Sequence, residues 1–200
     1  HSKFKEKASF ENFETRYFKI HQVTFAESAY FDDLNKNNNL VIENWDRKTL
    51  RAIKRELVNT NNQIDYLRFK AYELNAYDKE KGKNYKDQVV LFFNKHSNYF
   101  GLDWTKGVFF IFLSSFTFYL LYLITYAIVM RYTLYFPNTF EDFSVTYLKF
   151  LNPFSFLKSP IEDAENYFFP YLSFTLGKIF ISYGIYQTIQ AFRKFGVNGG

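Results

Sequence analysis

The spacing of apolar residues changes character along the chain, and each change predicts a different element. In residues 8–32, apolar and small side chains return at every fifth position. Phe10, Thr15, Ile20, Phe25 and Tyr30 form one series, and Ala8, Phe13, Phe18, Val23 and Ser28 precede them by two places. Neither a helix, repeating every 3.6 residues, nor a strand, alternating at two, generates that period. A coil with five-residue sides does. One coil cannot bury its own faces, so this stretch requires further coils or another surface to pack on.

From Asp46 the pattern becomes helical. Asp46 is placed to cap a helix whose Leu50, Ile53 and Leu57 form one apolar face. Asn59-Thr60-Asn61-Asn62 interrupts it, and Ile64, Leu67, Ala71 and Leu74 continue the pattern to about Lys79. The same positions also fit a heptad series, so one long coiled-coil helix is an alternative. Consecutive asparagines, poor helix formers that tolerate left-handed backbone, favour a hairpin. A polar loop around Gly82 follows, and Asp87 is expected to cap a third helix that ends at Asn98-Tyr99-Phe100-Gly101.

Residues 107–130 contain no charged side chain. A helix needs about 20 apolar residues to span the hydrocarbon core, so this run is long enough to cross with some tilt. Trp104 and Lys106 before it and Arg131 after it are the aromatic and cationic residues expected at a membrane interface. Residues 143–157 are too short to cross and contain Lys149 and Pro153, which suits an interfacial or re-entrant helix. A second span over residues 167–192 is interrupted by Lys178 and closed by Arg193 and Lys194. With the helix starting after Pro170, Lys178 is about two turns in and can snorkel outward; placed deeper, it must face water or a partner.

The fold class expected is therefore mostly α: a pentapeptide-type β-helix remnant (1–45), a cytoplasmic helical region (46–105), two transmembrane helices joined by a partly helical outer loop (106–195), and a tail (196–200). Composition supports a membrane protein, with 48% hydrophobic and 23% aromatic residues; the mean hydropathy of −0.28 averages two unlike halves. Lys79 to Lys106 holds six lysines and the C-terminal end has Arg193-Lys194, against three cations between Arg131 and Glu165. The positive-inside rule then puts both ends in the cytoplasm and the connection outside.

Several chemistries are excluded or disfavoured. With no cysteine, disulfides, thiolate nucleophiles and thiolate metal sites are absent together. The formal charge is only +5, and the lysines between Lys79 and Lys86 are broken by Glu80, unlike the basic stripe of a nucleic-acid binder. His1, His21 and His96 lack metal-ligand spacing, Asp32-Asp33 reads as a loop cap, and no phosphate loop or nucleophile elbow occurs. No enzyme, cofactor, metal or small-molecule substrate is expected. The start at His1-Ser2, without an n-region and cleavable apolar stretch, is expected to reflect a native start further upstream or an expression remnant.

The segments Arg51-Ala52-Ile53-Lys54 and Asn61-Asn62-Gln63-Ile64-Asp65-Tyr66-Leu67-Arg68-Phe69-Lys70-Ala71-Tyr72-Glu73, then Asn94-Lys95 and Tyr99-Phe100-Gly101-Leu102-Asp103-Trp104, carry a resemblance. So do Asn152-Pro153 and Tyr186-Gln187-Thr188-Ile189-Gln190-Ala191-Phe192-Arg193-Lys194-Phe195. Together with residues 8–32, they resemble the membrane-anchored C-terminal module of bacterial pentapeptide-repeat proteins, many from the Bacteroidetes, distantly similar to two-transmembrane ion-channel modules. The resemblance implies an architecture in a bacterial inner membrane. No Thr-Val-Gly-Tyr-Gly filter lies between the spans, which argues against a potassium-selective pore.

The residues singled out for function lie in the second span: Lys178, Ser173, Thr175, Ser182, Gln187, Thr188 and Gln190, with Gly177 and Gly184 as small residues. They are candidates for a pore lining or a helix interface. The function expected is an oligomeric pore or channel-like membrane effector, of the sort used in stress or defence, controlled by its cytoplasmic helices. The alternative is a non-conducting tether that presents a repeat scaffold to a protein partner. Expected partners are the lipid bilayer and a second copy or a protein partner through residues 8–80.

Overall fold

The computed structural model describes residues 2–4, 7–15, 18–19, 23–25, 29–34, 42, 44–130, 139–155 and 158–193. The chain forms two compact units, residues 1–104 with 190–200, and residues 105–189. Helices dominate both.

The first unit begins with four short strands, β1 (Ser2–Phe4), β2 (Ala8–Ser9), β3 (Val23–Phe25) and β4 (Ala29–Tyr30). They pair in parallel, β1 with β3 and β2 with β4, with Ser2 opposite Val23 and Ala8 opposite Ala29. Each partner lies 21 positions further along, one more than four five-residue sides provide. The partners are therefore not spaced by the multiple of five that the period-five series requires. Phe10 stacks on Phe31, rings 5.0 Å apart and 4° from parallel, and Ala29 and Phe31 are fully buried while Tyr30 is half-buried. Of the period-five series, Phe13 is exposed, and the side chains of Ile20, Val23, Phe25 and Ser28 lie outside the described residues.

The surface that covers this coil is a helical hairpin. Helix α1 (Arg47–Asn59) starts at Asp46, whose carboxylate accepts from the Thr49 N–H at 3.3 Å. Leu50, Ile53 and Leu57 of α1 are fully buried against Ala29, Phe31, Leu34, Ile42 and Trp45. Burying each such aliphatic side chain stabilises by about 1.5–3 kcal/mol. Asn61 takes a left-handed φ of 58°, Asn62 caps α2 (Gln63–Lys79) by accepting from the Asp65 N–H at 3.0 Å, and the helix pair turns back on itself. A single long helix is thereby excluded.

The buried face of α2 differs from the heptad expectation. Ile64 is 59% exposed, whereas Phe69 and Tyr72 enter the core with Ala76 beside them. The reason is that α2 also meets the end of the coil. The Asp33 N–H donates to Asp65 Oδ2 at 2.9 Å, Asn62 Nδ2 donates to Asp32 Oδ1, and Arg68 donates to the Leu34 carbonyl at 3.3 Å. Polar residues therefore occupy positions that a two-helix packing alone would fill with leucine.

Glu73 fixes the hairpin electrostatically. It is 7% exposed and accepts from Arg51 Nε at 2.9 Å and Lys54 Nζ at 2.5 Å. Burial pushes its carboxyl up, but the hydrogen bonds from Lys54 and Arg51 outweigh burial and hold it below the ordinary value. Helix α3 (Tyr85–Asn98) is capped by Asn84, which accepts from the Lys86 N–H, and not by Asp87. Asp87 lies in the first turn and accepts instead from the Tyr77 hydroxyl at 2.9 Å. Asp78 joins Lys95 at 2.9 Å and Lys83 at 3.1 Å, and the Lys95 hydrogen bond is the main reason its carboxyl is held low.

The second unit contains most of α4 (Trp104–Val129), then α5 (Phe140–Leu151), a 3-10 turn (Glu162–Asn166) and most of α6 (Phe168–Phe192). Among the described residues, α4 is the one helix long and apolar enough to cross a membrane. Pro170 lies in the first turn of α6, where its missing N–H costs no intrahelical bond.

Because both carboxyls are depressed, their contribution is present above their ordinary values of 4.5 and 3.8 and is lost as pH falls through the lowered ones. Denaturant titration of the full chain, followed by near-ultraviolet circular dichroism, should show the first unit weakening as pH drops below 4.5. Glu73→Ala, which leaves Arg51 and Lys54 facing an empty buried site, is expected to cost about 2 kcal/mol at neutral pH and to flatten that acid response.

Candidate functional site: the buried lysine of the second unit

Helices α4 and α6 run antiparallel in close contact, and glycine is what permits it. A Cβ at Gly107 would lie 2.4 Å from Thr188 Oγ1 and 3.1 Å from Thr188 Cα. One at Gly184 would lie 2.5 Å from Ile111 Cγ1. Gly177, seven residues before Gly184, faces Phe118 of α4 and the ring of Phe150, whose Cζ would be 2.6 Å from an added Cβ. Gly177 is thus a socket for the end of α5, and its neighbour Lys178 fills the rest of the site.

Lys178 is fully buried. Its Nζ donates to the carbonyl oxygens of Phe150 and Asn152, each at 2.6 Å, and to Ser155 Oγ at 3.1 Å. Three donors meet three acceptors, which is the whole capacity of an ammonium. The rings of Phe174 and Phe150 lie 5.0 and 5.7 Å from Nζ and present their faces to the charge. These carbonyls belong to the C-terminal end of α5, where the helix dipole is negative and the last C=O groups have no intrahelical partner. Lys178 supplies the missing partner. The other end of α5 is equally matched, with Thr139 Oγ1 accepting from the Asp142 N–H at 3.1 Å and Glu141 and Asp142 in the first turn.

Of the two orientations considered for Lys178, outward snorkelling is not seen, and the side chain meets a partner within the chain. The lysine sits ten residues into a 25-residue helix, about 15 Å along its axis, too deep for its stem to reach either end.

The remaining residues singled out from the second span do not converge on it. Ser173 is buried and donates to the Phe169 carbonyl at 3.0 Å; Thr175 donates to Tyr171 and Thr188 to Gly184, each at 2.8 Å. Such back-bonding hides a hydroxyl within its own helix. Gln187 is buried, Ser182 is half-buried, and Gln190 lies in the first unit, accepting from Asn98 Nδ2 at 3.3 Å. Of the interface anchors, Trp104 is 41% exposed and stacks on Phe192 at 5.2 Å, and Lys106 and Arg193 are exposed. Arg131 and Lys194 lie outside the described residues.

Residues not anticipated are the tyrosines of α4. Tyr119, Tyr122 and Tyr126 are buried on one face with Ser115. Ser115 Oγ shares a hydrogen bond with the Tyr147 hydroxyl at 2.8 Å, Tyr119 donates to the Phe143 carbonyl at 3.3 Å, and the Tyr122 hydroxyl meets Ser159 Oγ at 2.6 Å and the Ile161 N–H at 3.2 Å. Their spacing of four, three and four was visible as a hydroxyl stripe inside an apolar run. Chemically the site positions α5 and orders the connection around Ser159; among the described residues no group of His, Cys, Asp and Glu could hold a metal ion.

Lys178→Met removes the charge and takes the ammonium donor from the Phe150 carbonyl, while the Asn152 carbonyl keeps its bonds from Ser155. Thermal unfolding in detergent is expected to register a loss of about 3 kcal/mol. Hydrogen exchange should accelerate across residues 140–155 while the glycine-packed helix pair stays protected. Comparison with models of protein families, with curated proteins and with solved structures finds no match for this chain.

Proposed function

We propose that this chain is a membrane-anchored scaffold module. In this reading α4 and α6 cross a bacterial inner membrane as an antiparallel pair, with both termini in the cytoplasm. Helix α5 sits in the outer half as an interfacial or re-entrant helix, and the first unit presents a pentapeptide-type coil to a protein partner. One observation carries the membrane part: the second unit buries polar groups beside its aromatic core while long apolar side chains of both long helices face outward. Its interior holds Lys178, Ser173, Gln187, Ser115 and buried tyrosines, while Phe109, Phe112, Leu113, Ile124, Ile128, Ile179 and Ile189 are exposed. Exposed apolar bands on two long helices, with polar groups turned inward, suit lipid as the solvent.

The repeat reading draws on the parallel pairing of residues 21 positions apart and on the stacking of Phe10 over Phe31. A conducting pore drew on a lysine able to line a lumen. An ammonium held by Phe150, Asn152 and Ser155 does not supply one, so the non-conducting tether is the reading adopted.

The chain has no cysteine, so single introduced thiols report topology without background. In bacterial membranes the protein should resist alkaline extraction. A thiol placed at Ile64 should be labelled only from the cytoplasmic side, and one at Phe154 only from outside. Planar-bilayer recordings should be silent; steady single-channel currents abolished by Lys178→Met would replace the tether with a pore.

A further inference from the structure

Helix α3 carries an apolar stripe that none of the described residues covers. Tyr85 is 77% exposed and Phe92 is 56% exposed, with Val89 partly exposed between them. The His96 ring lies 4.3 Å from that of Phe92 and extends the same line. At 100° per residue these side chains share one face, and Lys86 and Lys95 fall about a quarter turn to either side. Beside the stripe is a groove of about 470 Å³, floored by Val89, Phe92 and Phe93 and rimmed by Lys83 and Lys95.

The charge around this stripe is one-sided. Between residues 79 and 96 there are five lysines against Glu80 and Asp87. Lys81 and Lys86 are exposed, while Lys83 and Lys95 both pair with Asp78. Only residues 99–103 separate α3 from α4, a turn held by the Gly101, Leu102 and Asp103 N–H groups bonding back to Asn98. Five residues reach at most about 18 Å, so α3 cannot leave the neighbourhood of the Trp104 end of α4.

We propose that α3 is an interfacial helix that lies on an anionic leaflet, its Tyr85–Phe92 stripe in the acyl boundary and Lys81 and Lys86 on lipid phosphates. An apolar stripe flanked by lysines is the pattern that binds in the plane of a membrane surface, and anionic headgroups complement its charge. The proposal rests on reading α4 as a crossing helix and adds a lipid class to it.

Thiols at Tyr85, Phe92, Ile64 and Phe112, introduced singly and labelled with an environment-sensitive fluorophore, test it in the full chain reconstituted into nanodiscs. Phosphatidylglycerol-containing discs are compared with pure phosphatidylcholine, with brominated lipid as quencher. Probes at 85 and 92 should be blue-shifted and quenched in the anionic discs, and the probe at 64 should not. Lys81→Gln and Lys86→Gln should each lower the ratio of bound to free α3 about fivefold. Probes at 85 and 92 as wet as that at 64, with the one at 112 quenched, would sink the interfacial helix and leave the anchor standing. An unquenched probe at 112 with 85 and 92 still shielded by anionic lipid supports the lipid surface and removes the anchor. Shielding that is indifferent to lipid charge but grows with protein concentration in detergent would assign the stripe to a second copy and overturn the proposal.

Discussion

A charge taken out of water must find a partner of matching geometry, because the desolvation cost otherwise exceeds what a marginally stable fold can offset. Each unit of this chain buries such charge, the first Glu73 among its carboxylates and the second Lys178. In the first unit Glu73 draws Arg51 and Lys54 across the hairpin, so the two helices are joined electrostatically as well as by Leu50, Ile53 and Leu57. In the second, Lys178 forms no ion pair with a carboxylate among the described residues and takes the negative end of a helix instead. The dipole of α5 and its orphan carbonyls do the work of a counter-ion.

This constraint explains why the connection between α4 and α6 is helical at residues 140–151. An isolated 12-residue helix is marginal even with good propensity. Capped by Thr139 at one end and Lys178 at the other, and buried through Phe150 against Tyr119, Tyr122 and Phe174, it becomes part of the packed unit. The glycines serve the same arrangement. Gly177 admits Phe150, and Gly107 and Gly184 bring the helix backbones close enough for the α5 end to span both.

Much of this was legible in the sequence, and the parts that were not share a cause. Helix positions, the Asn61-Asn62 turn and the charge-free run followed from local rules of capping, propensity and length. The exposed Ile64 did not, because the buried face of α2 is decided by Asp32, Asp33 and Leu34, which periodicity within the helix cannot see. The 21-residue spacing of the paired strands is likewise no multiple of five, and a period read along the chain does not predict it. The role of Lys178 was half visible: a lysine after glycine in an apolar helix marks a buried partner, but only the fold shows that the partner is backbone.

The dependence of Lys178 on α5 also bears on how such a chain would be made. A helix with a central lysine is a poor substrate for membrane insertion by itself, at a cost of about 2.5–3.5 kcal/mol. The acceptors that remove that cost are encoded before it and leave the ribosome first. In the membrane reading proposed above, helix α6 would then partition as the closing arm of a preassembled hairpin, and truncating the chain before residue 178 would deprive the α5 end of the Lys178 ammonium.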